Sequence, residues 1–253
     1  IDAASGEIRF LPNYGWKAVN LRDLVQAKLN HPTYIDNSSN TLAMTEQWYG
    51  SGRGVDNFLV VTIENGVGLG VVMQGRLHRG HGGTAGEFGH NTIDPEGPLC
   101  RCGKKGCIEA YAGNNSILAY ARQAAEAGDW QPEDGTPISL ESVVRAAESG
   151  VEVLRKRFTK AGQVLALGLS HLINLYNPAR IIITGKGVKA GDLLFAPLNA
   201  ALPQYLSPSF GESAAAVDIV IKPWNDTDWV RGAGALVLQE LYKSPVGQVA
   251  SSA

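Results

Sequence analysis

The positions Leu154, Phe158, Ala161, Leu165, Gly168, Leu172 and Leu175 recur at alternating spacings of four and three. That rhythm lines one face of a long helix over 151–177. Pro178 ends it, because proline lacks the N–H that a helix interior needs. A buried strand (RIIITG, 180–185) follows, then a glycine turn and an apolar stretch (DLLFAPLNAAL) suited to another helix. A further strand is expected at 216–221 (AVDIVI). After the loop KPWNDTD, a final helix is expected from Trp229 to Tyr242, and a frayed tail after it. Earlier, the β-branched and glycine-rich run at 60–83 reads as two strands joined at Asn65 and Gly66, a pair suited to positive φ angles. Residues 128–137 read as a loop by composition. Helices alternating with buried strands point to an α/β fold.

With 253 residues the chain can bury a large core, as one domain or as two lobes. Its formal net charge of -2 offers nucleic acid no electrostatic handle, so any DNA contact has to come from elsewhere. No apolar run approaches the roughly 20 residues of a membrane helix, and the start carries no signal-like segment. A cytoplasmic protein is expected. The first residue, Ile1, enters mid-pattern, which suggests a fragment of something longer.

The three cysteines, Cys100, Cys102 and Cys107, sit together in GEFGHNTIDPEGPLCRCGKKGCIEAYAG (86–113), a stretch that also holds His90. Such clustering does not suit a distributed disulfide framework. Three thiolates and an imidazole form a tetrahedral set that suits structural zinc. Two cysteines only two positions apart depart from zinc-finger spacing, so a redox loop or incidental thiols remain open on spacing alone.

This block resembles the signature of the ROK family (repressors, open reading frames and kinases), in which E-x-G-H precedes C-x-C-G-x-x-G-C-x-E. The likeness extends to PNYGW, IDNSSNTLA, IENGVGLGVV, IIITGKGVKAGDLL and RGAGALVLQELY. The resemblance implies an actin-like (ribonuclease H-like) α/β fold of two lobes with a structural zinc loop, its first small-lobe strands missing from this chain. Residues 1–36 would end the small lobe, 37–226 would form the large lobe, 227–243 would return to the small lobe, and 244–253 would be a flexible tail. It also implies zinc on His90, Cys100, Cys102 and Cys107, and sugar hydroxyls on Asn37, Glu87, His90 and Glu109. Carboxylates, amide and imidazole suit hydroxyls, which both donate and accept. Apart from the family, the two glutamates read as solvated or ion-paired groups and Asn37 as a turn cap.

Kinases of the family carry an aspartate base directly after the asparagine matched by Asn37; here that residue is Ser38. Loss of a positioned base costs roughly a hundredfold to ten-thousandfold. Asp36 is displaced by about 6.5 Å along an extended segment, too far to substitute. The kinases' G-T-G phosphate turn is matched by Glu64, Asn65 and Gly66, whose carboxylate should repel a triphosphate. Lys186 stands where relatives often have glycine, a change that points neither way, and the D-x-G-G-T phosphate loop of the kinases' first strand is expected upstream of Ile1. The resemblance therefore favours a repressor's sugar-sensing part over a kinase. It implies a small-molecule sugar inducer, operator DNA bound through an upstream winged helix-turn-helix absent here, and a homodimer or homotetramer.

Overall fold

The structure is a computed structural model, and it describes residues 1–11, 15–132, 136–209 and 217–242. The expected tail, part of the loop at 128–137 and Ala216 lie outside the described residues.

A hairpin of β1 (Glu7–Leu11) and β2 (Trp16–Asn20) opens the chain and leads into α1 (Leu21–Leu29). Next come α2 (Ser38–Tyr49) and the strands β3 (Phe58–Ile63), β4 (Val67–Met73) and β5 (Arg76–Leu77). Four helices follow: α3 (Ile108–Ala112), α4 (Asn114–Glu126), α5 (Leu140–Glu148) and α6 (Glu152–Tyr176). The chain then runs through β6 (Arg180–Thr184), α7 (Asp192–Ala201), β7 (Asp218–Ile221) and α8 (Thr227–Leu241). The main sheet has the order β5-β4-β3-β6-β7, with β3, β6 and β7 parallel and β4 and β5 antiparallel.

Every residue of β3 is buried, because helices cover both faces of the sheet. Phe58 and Val60 point to one side, where they pack on Leu42 and Ala43 of α2. Leu59, Val61 and Ile63 point to the other, into the larger core built on α6. Each such side chain contributes about 1.5–3 kcal/mol on full burial. On the outer side of α2 lies α8, where Ala235 and Leu236 meet Met44.

Two close approaches set the positions of the functional segments. A β-carbon on Gly70 would lie 2.5 Å from the Ser39 carbonyl, so only glycine in β4 lets the first turn of α2 rest on the sheet. A β-carbon on Gly168 would meet Ile108 at 2.6 Å and Phe88 at 2.8 Å, so this gap in α6 admits α3 and the turn before it.

The helix expected over 151–177 is α6, and Asn177 in the left-handed region caps it ahead of Pro178. Its last expected core position does not hold: Leu175 is 79% exposed. A strict seven-residue repeat drifts by about 20° per heptad on a straight helix. Three heptads from Leu154 the stripe has rotated out, and Leu169 and Ile173 carry the core instead. The hairpin corner falls at Asn65 and Gly66, but neither has the positive φ expected of it. The corner docks on another element: the Glu64 carbonyl accepts from Asn114 N–H at 2.8 Å and the Asn65 carbonyl from Asn115 N–H at 3.3 Å. The positive-φ pair is Gln74 (53°) and Gly75 (68°), which turn β4 into β5.

Candidate metal loop and adjoining cleft

Residues 90–107 fold back on themselves through bridges between Thr92 and Cys107 and between Leu99 and Lys105. This brings His90, Cys100, Cys102 and Cys107 together, with one ligand atom from each lying within 4.8 Å of the others. Cys100 Sγ is 3.6 Å from His90 Nδ1, and Cys102 Sγ is 3.7 Å from Cys107 Sγ. Ligands bound tetrahedrally at about 2.0–2.3 Å stand roughly 3.3–3.8 Å apart, so these spacings fit a four-coordinate ion. Burial pushes the Cys100 thiol up to about 12. Burial likewise raises Cys107. At Cys102 burial works in the same direction, but the Lys104 backbone N–H and the neighbouring thiols outweigh it and lower the group. The two buried thiols, Cys100 and Cys107, are poorly suited to charge themselves unaided, and a cation bound there would supply the missing compensation. The four residues can therefore hold a metal ion.

Beside the loop lies a cleft of about 280 Å³, near the lower end of small-molecule sites at roughly 300–1,000 Å³. It gathers Asn37, Glu87, His90 and Glu109, together with Ser38 and the Glu64–Gly66 turn. Asn37 caps α2, its Oδ1 accepting the Ser39 N–H at 2.8 Å, so capping and cleft lining coexist in one side chain. Ser38 is exposed at the head of the same helix. Glu87, also exposed, precedes the short turn Phe88–His90. Because Nδ1 is the His90 nitrogen nearest Cys100, Nε2 is the one left for the cleft. A larger opening of about 510 Å³, between Arg22, Tyr34, Arg79 and Leu236, contains none of the expected site residues.

The acids around the cleft are unequally engaged. Asp36 is 1% exposed, and its Oδ1 accepts from Asn37 N–H and Asn40 Nδ2, both at 2.7 Å. Its Oδ2 accepts from Arg79 Nε at 2.7 Å. Glu64 Oε1 accepts the Lys186 backbone N–H at 2.6 Å, and burial raises this carboxyl above its ordinary value. Glu109, 4% exposed, accepts from Val67 N–H at 3.1 Å and from both arms of the Arg101 guanidinium. That ion pair holds Arg101 above its usual value.

Arg101 and Trp229 line the cleft without having been expected there. Arg101 could have been suspected as a cation placed between two cysteines of the candidate metal set and followed by a glutamate. Trp229 left no such signal; it arrives from α8 and stacks edge-on against Trp224 at 5.3 Å.

The pattern that defines the ROK family matches residues 1–240. The chain belongs to the ROK family. It is 30% identical over 251 residues to the xylose repressor of Caldicellulosiruptor bescii, covering 97% of this chain and 62% of that protein. It is 31% identical over 252 residues to the glucokinase of Thermotoga maritima, covering 95% of this chain and 77% of that enzyme. Among solved structures, the ROK glucokinase of Streptomyces griseus, in complex with glucose and AMPPNP, superposes with a TM-score of 0.80 at 28% identity. That match covers 94% of this chain and 78% of the other. Repressors and kinases of the family are thus similar to this chain in equal degree. No helix among the described residues is long and apolar enough to cross a membrane.

Proposed function

We propose that this chain is the sugar-binding effector part of a ROK-family transcriptional repressor. In this reading an uncharged sugar enters the cleft, where Asn37, Glu87, His90 and Glu109 bind its hydroxyls. Structural zinc on His90, Cys100, Cys102 and Cys107 orders the imidazole for that task. Sugar binds one lobe arrangement in preference and thereby shifts an upstream winged helix-turn-helix off its operator. The lobes divide near residues 36 and 227, and the protein works as a homodimer or homotetramer.

The observation that carries this reading is the state of the acids beside Ser38. A general base must lie within about 3 Å of the hydroxyl proton it removes. The residue at the family's base position is a serine, and the adjacent Asp36 has both oxygens bonded to Arg79, Asn40 and the Asn37 N–H. Glu64 adds to it, because its carboxylate already accepts the Lys186 N–H that an incoming phosphate would seek. Similarity to the xylose repressor agrees with this reading, and similarity to the Thermotoga maritima glucokinase agrees as well with a kinase.

A second reading, an ATP-dependent sugar kinase, is favoured by one observation. Glu87 is an exposed carboxylate in the same cleft, with freedom to act as a base. The deciding experiment is ATP-dependent phosphorylation of D-glucose and D-xylose by the full-length protein, run beside operator binding with and without each sugar. Sugar-dependent release of operator with no phosphorylated product is expected. Robust turnover would reverse the assignment in favour of the kinase.

A further inference from the structure

We propose that Arg101 is a positioning residue that carries the state of the metal loop into the cleft, by fixing Glu109 to receive a ligand hydroxyl. The inference rests on the sugar-binding reading above.

Arg101 stands between two of the four metal-ligating residues, in the second position of a tight turn. In that turn the Gly103 N–H bonds the Cys100 carbonyl at 2.9 Å, and Gly103 has a φ of +89°. Arg101, Gly103, Lys104 and Lys105 are all exposed, so the inward anchors of the turn are its cysteine side chains. Whatever holds Cys100 and Cys102 holds the backbone on both sides of Arg101.

From that turn the guanidinium reaches into the cleft and grips Glu109 with two arms, Nε on Oε1 and Nη2 on Oε2 at 3.1 Å. A planar fork of this kind fixes a carboxylate's orientation as well as its charge. An ionised carboxylate offers about four acceptor positions. Arg101 takes two and Val67 N–H takes a third, leaving one for a hydroxyl in the cleft. Arg101 also meets an electrostatic need. Glu109 Oε1 lies 3.9 Å from Cys100 Sγ, and three thiolates around a divalent ion carry a net negative charge. Without the guanidinium, the buried carboxylate would face that charge unshielded. The β3–β4 turn is packed onto the pair: a β-carbon on Gly66 would meet Glu109 Oε2 at 2.0 Å and Arg101 Nη2 at 2.9 Å.

Loss of metal should therefore weaken ligand binding by two routes, one through His90 and one through Arg101, and removal of Arg101 should abolish the second. The test is a cycle in which metal-loaded and chelator-stripped protein are titrated calorimetrically with D-xylose and D-glucose, for wild type, Arg101→Ala and Arg101→Lys. With the sugar that binds, Arg101→Ala is expected to lose about tenfold in affinity while retaining its metal by elemental analysis. Stripping the metal should cost wild type at least threefold more than it costs Arg101→Ala. Arg101→Lys, which keeps the charge and loses the fork, should fall between the two. Unchanged affinity in Arg101→Ala, or an equal penalty for stripping in both proteins, would overturn the role of Arg101 and leave the sugar site standing. Binding of neither sugar by metal-loaded wild type would remove the sugar reading and this inference with it.

Discussion

Lys222 is the residue whose loss should be felt most strongly in stability. It leaves the end of β7 and places its ammonium between Glu46 of α2 and Asp228 of α8, bonding the first and lying 3.0 Å from the second. The two carboxylates are 1% and 4% exposed. In Lys222→Met both charges would be stranded, and removing one member of a buried ion pair costs about 3–5 kcal/mol. The lower end applies, because Lys222 is itself 25% exposed and some partners persist: the Ser51 N–H on Glu46 at 2.8 Å and Arg231 near Asp228 at 3.7 Å. A loss of about 3 kcal/mol corresponds to roughly 6–12 °C in Tm for a protein of this size. Urea denaturation followed by far-ultraviolet circular dichroism would measure it. Glu46→Gln combined with Lys222→Met should recover part of the loss. For pH, burial alone lowers the Lys222 ammonium, but Glu46 and Asp228 outweigh it and raise the group above its ordinary value. A raised lysine stabilises fully below its unfolded value of about 10.4 and ceases to do so as pH climbs through the folded value. The gap between wild type and variant should accordingly match at pH 7 and pH 9 and close only in stronger alkali. A variant within about 0.5 kcal/mol of wild type at pH 7 would refute the reasoning, since that is the range of ordinary surface substitutions.

Three further outcomes are expected. Purified protein should carry about one equivalent of metal, since a closed four-ligand site holds one ion; Cys102→Ser should weaken its retention by more than about a hundredfold, beyond the effect of an outer-shell change. Equal metal content in the two proteins by elemental analysis would eliminate the site. Burial raises the Glu64 carboxyl, so ionising it costs the folded state stability that is intact below about pH 4 and lost as pH rises through the folded value. Glu64→Gln should then melt up to about 2 °C higher at pH 7 and no higher at pH 4, the half-exposed setting keeping the gain under about 1 kcal/mol; a gain that persists at pH 4 would contradict this. Trp229 lines the cleft, so sugar should alter tryptophan emission in wild type and much less in Trp229→Phe, whereas an equal response in both would place the ligand away from α8.

How far the sequence reveals this protein depends on the distance over which each feature is decided. The core stripe of α6 and the strand β6 are local patterns, and both elements form where the pattern puts them. The stripe fails at Leu175, where helical drift, a cumulative property, overtakes the repeat. The Asn65–Gly66 corner illustrates the same limit at short range. Its residues suit a positive-φ turn, yet contacts with the N-terminus of α4 decide its shape, and a dipeptide carries no record of what will dock on it. The cluster that could hold a metal was legible because its four residues fall within eighteen positions and their chemistry is restrictive. The cleft was legible only through resemblance: Asn37, Glu87 and Glu109 are ordinary polar residues until the fold gathers them. The Lys222 network joins positions 46, 222 and 228, a separation over which no spacing rule operates.

Sensor and enzyme differ in what their acids must be free to do. A carboxylate is a base only while a lone pair is free and aimed at the proton to be taken. Asp36, Glu64 and Glu109 are all present in or beside the cleft, so a census of acids favours catalysis as readily as binding. Their hydrogen bonds separate the two. Asp36 is engaged on both oxygens by Arg79, Asn40 and a backbone N–H, Glu64 on one oxygen by the Lys186 N–H, and Glu109 by Arg101 and Val67, which leave it one acceptor position for a hydroxyl. Acids held this way are fixed acceptors, suited to recognising hydroxyls. Among the described residues lining the cleft, Glu87 is the exposed acid, and the kinase reading rests on it.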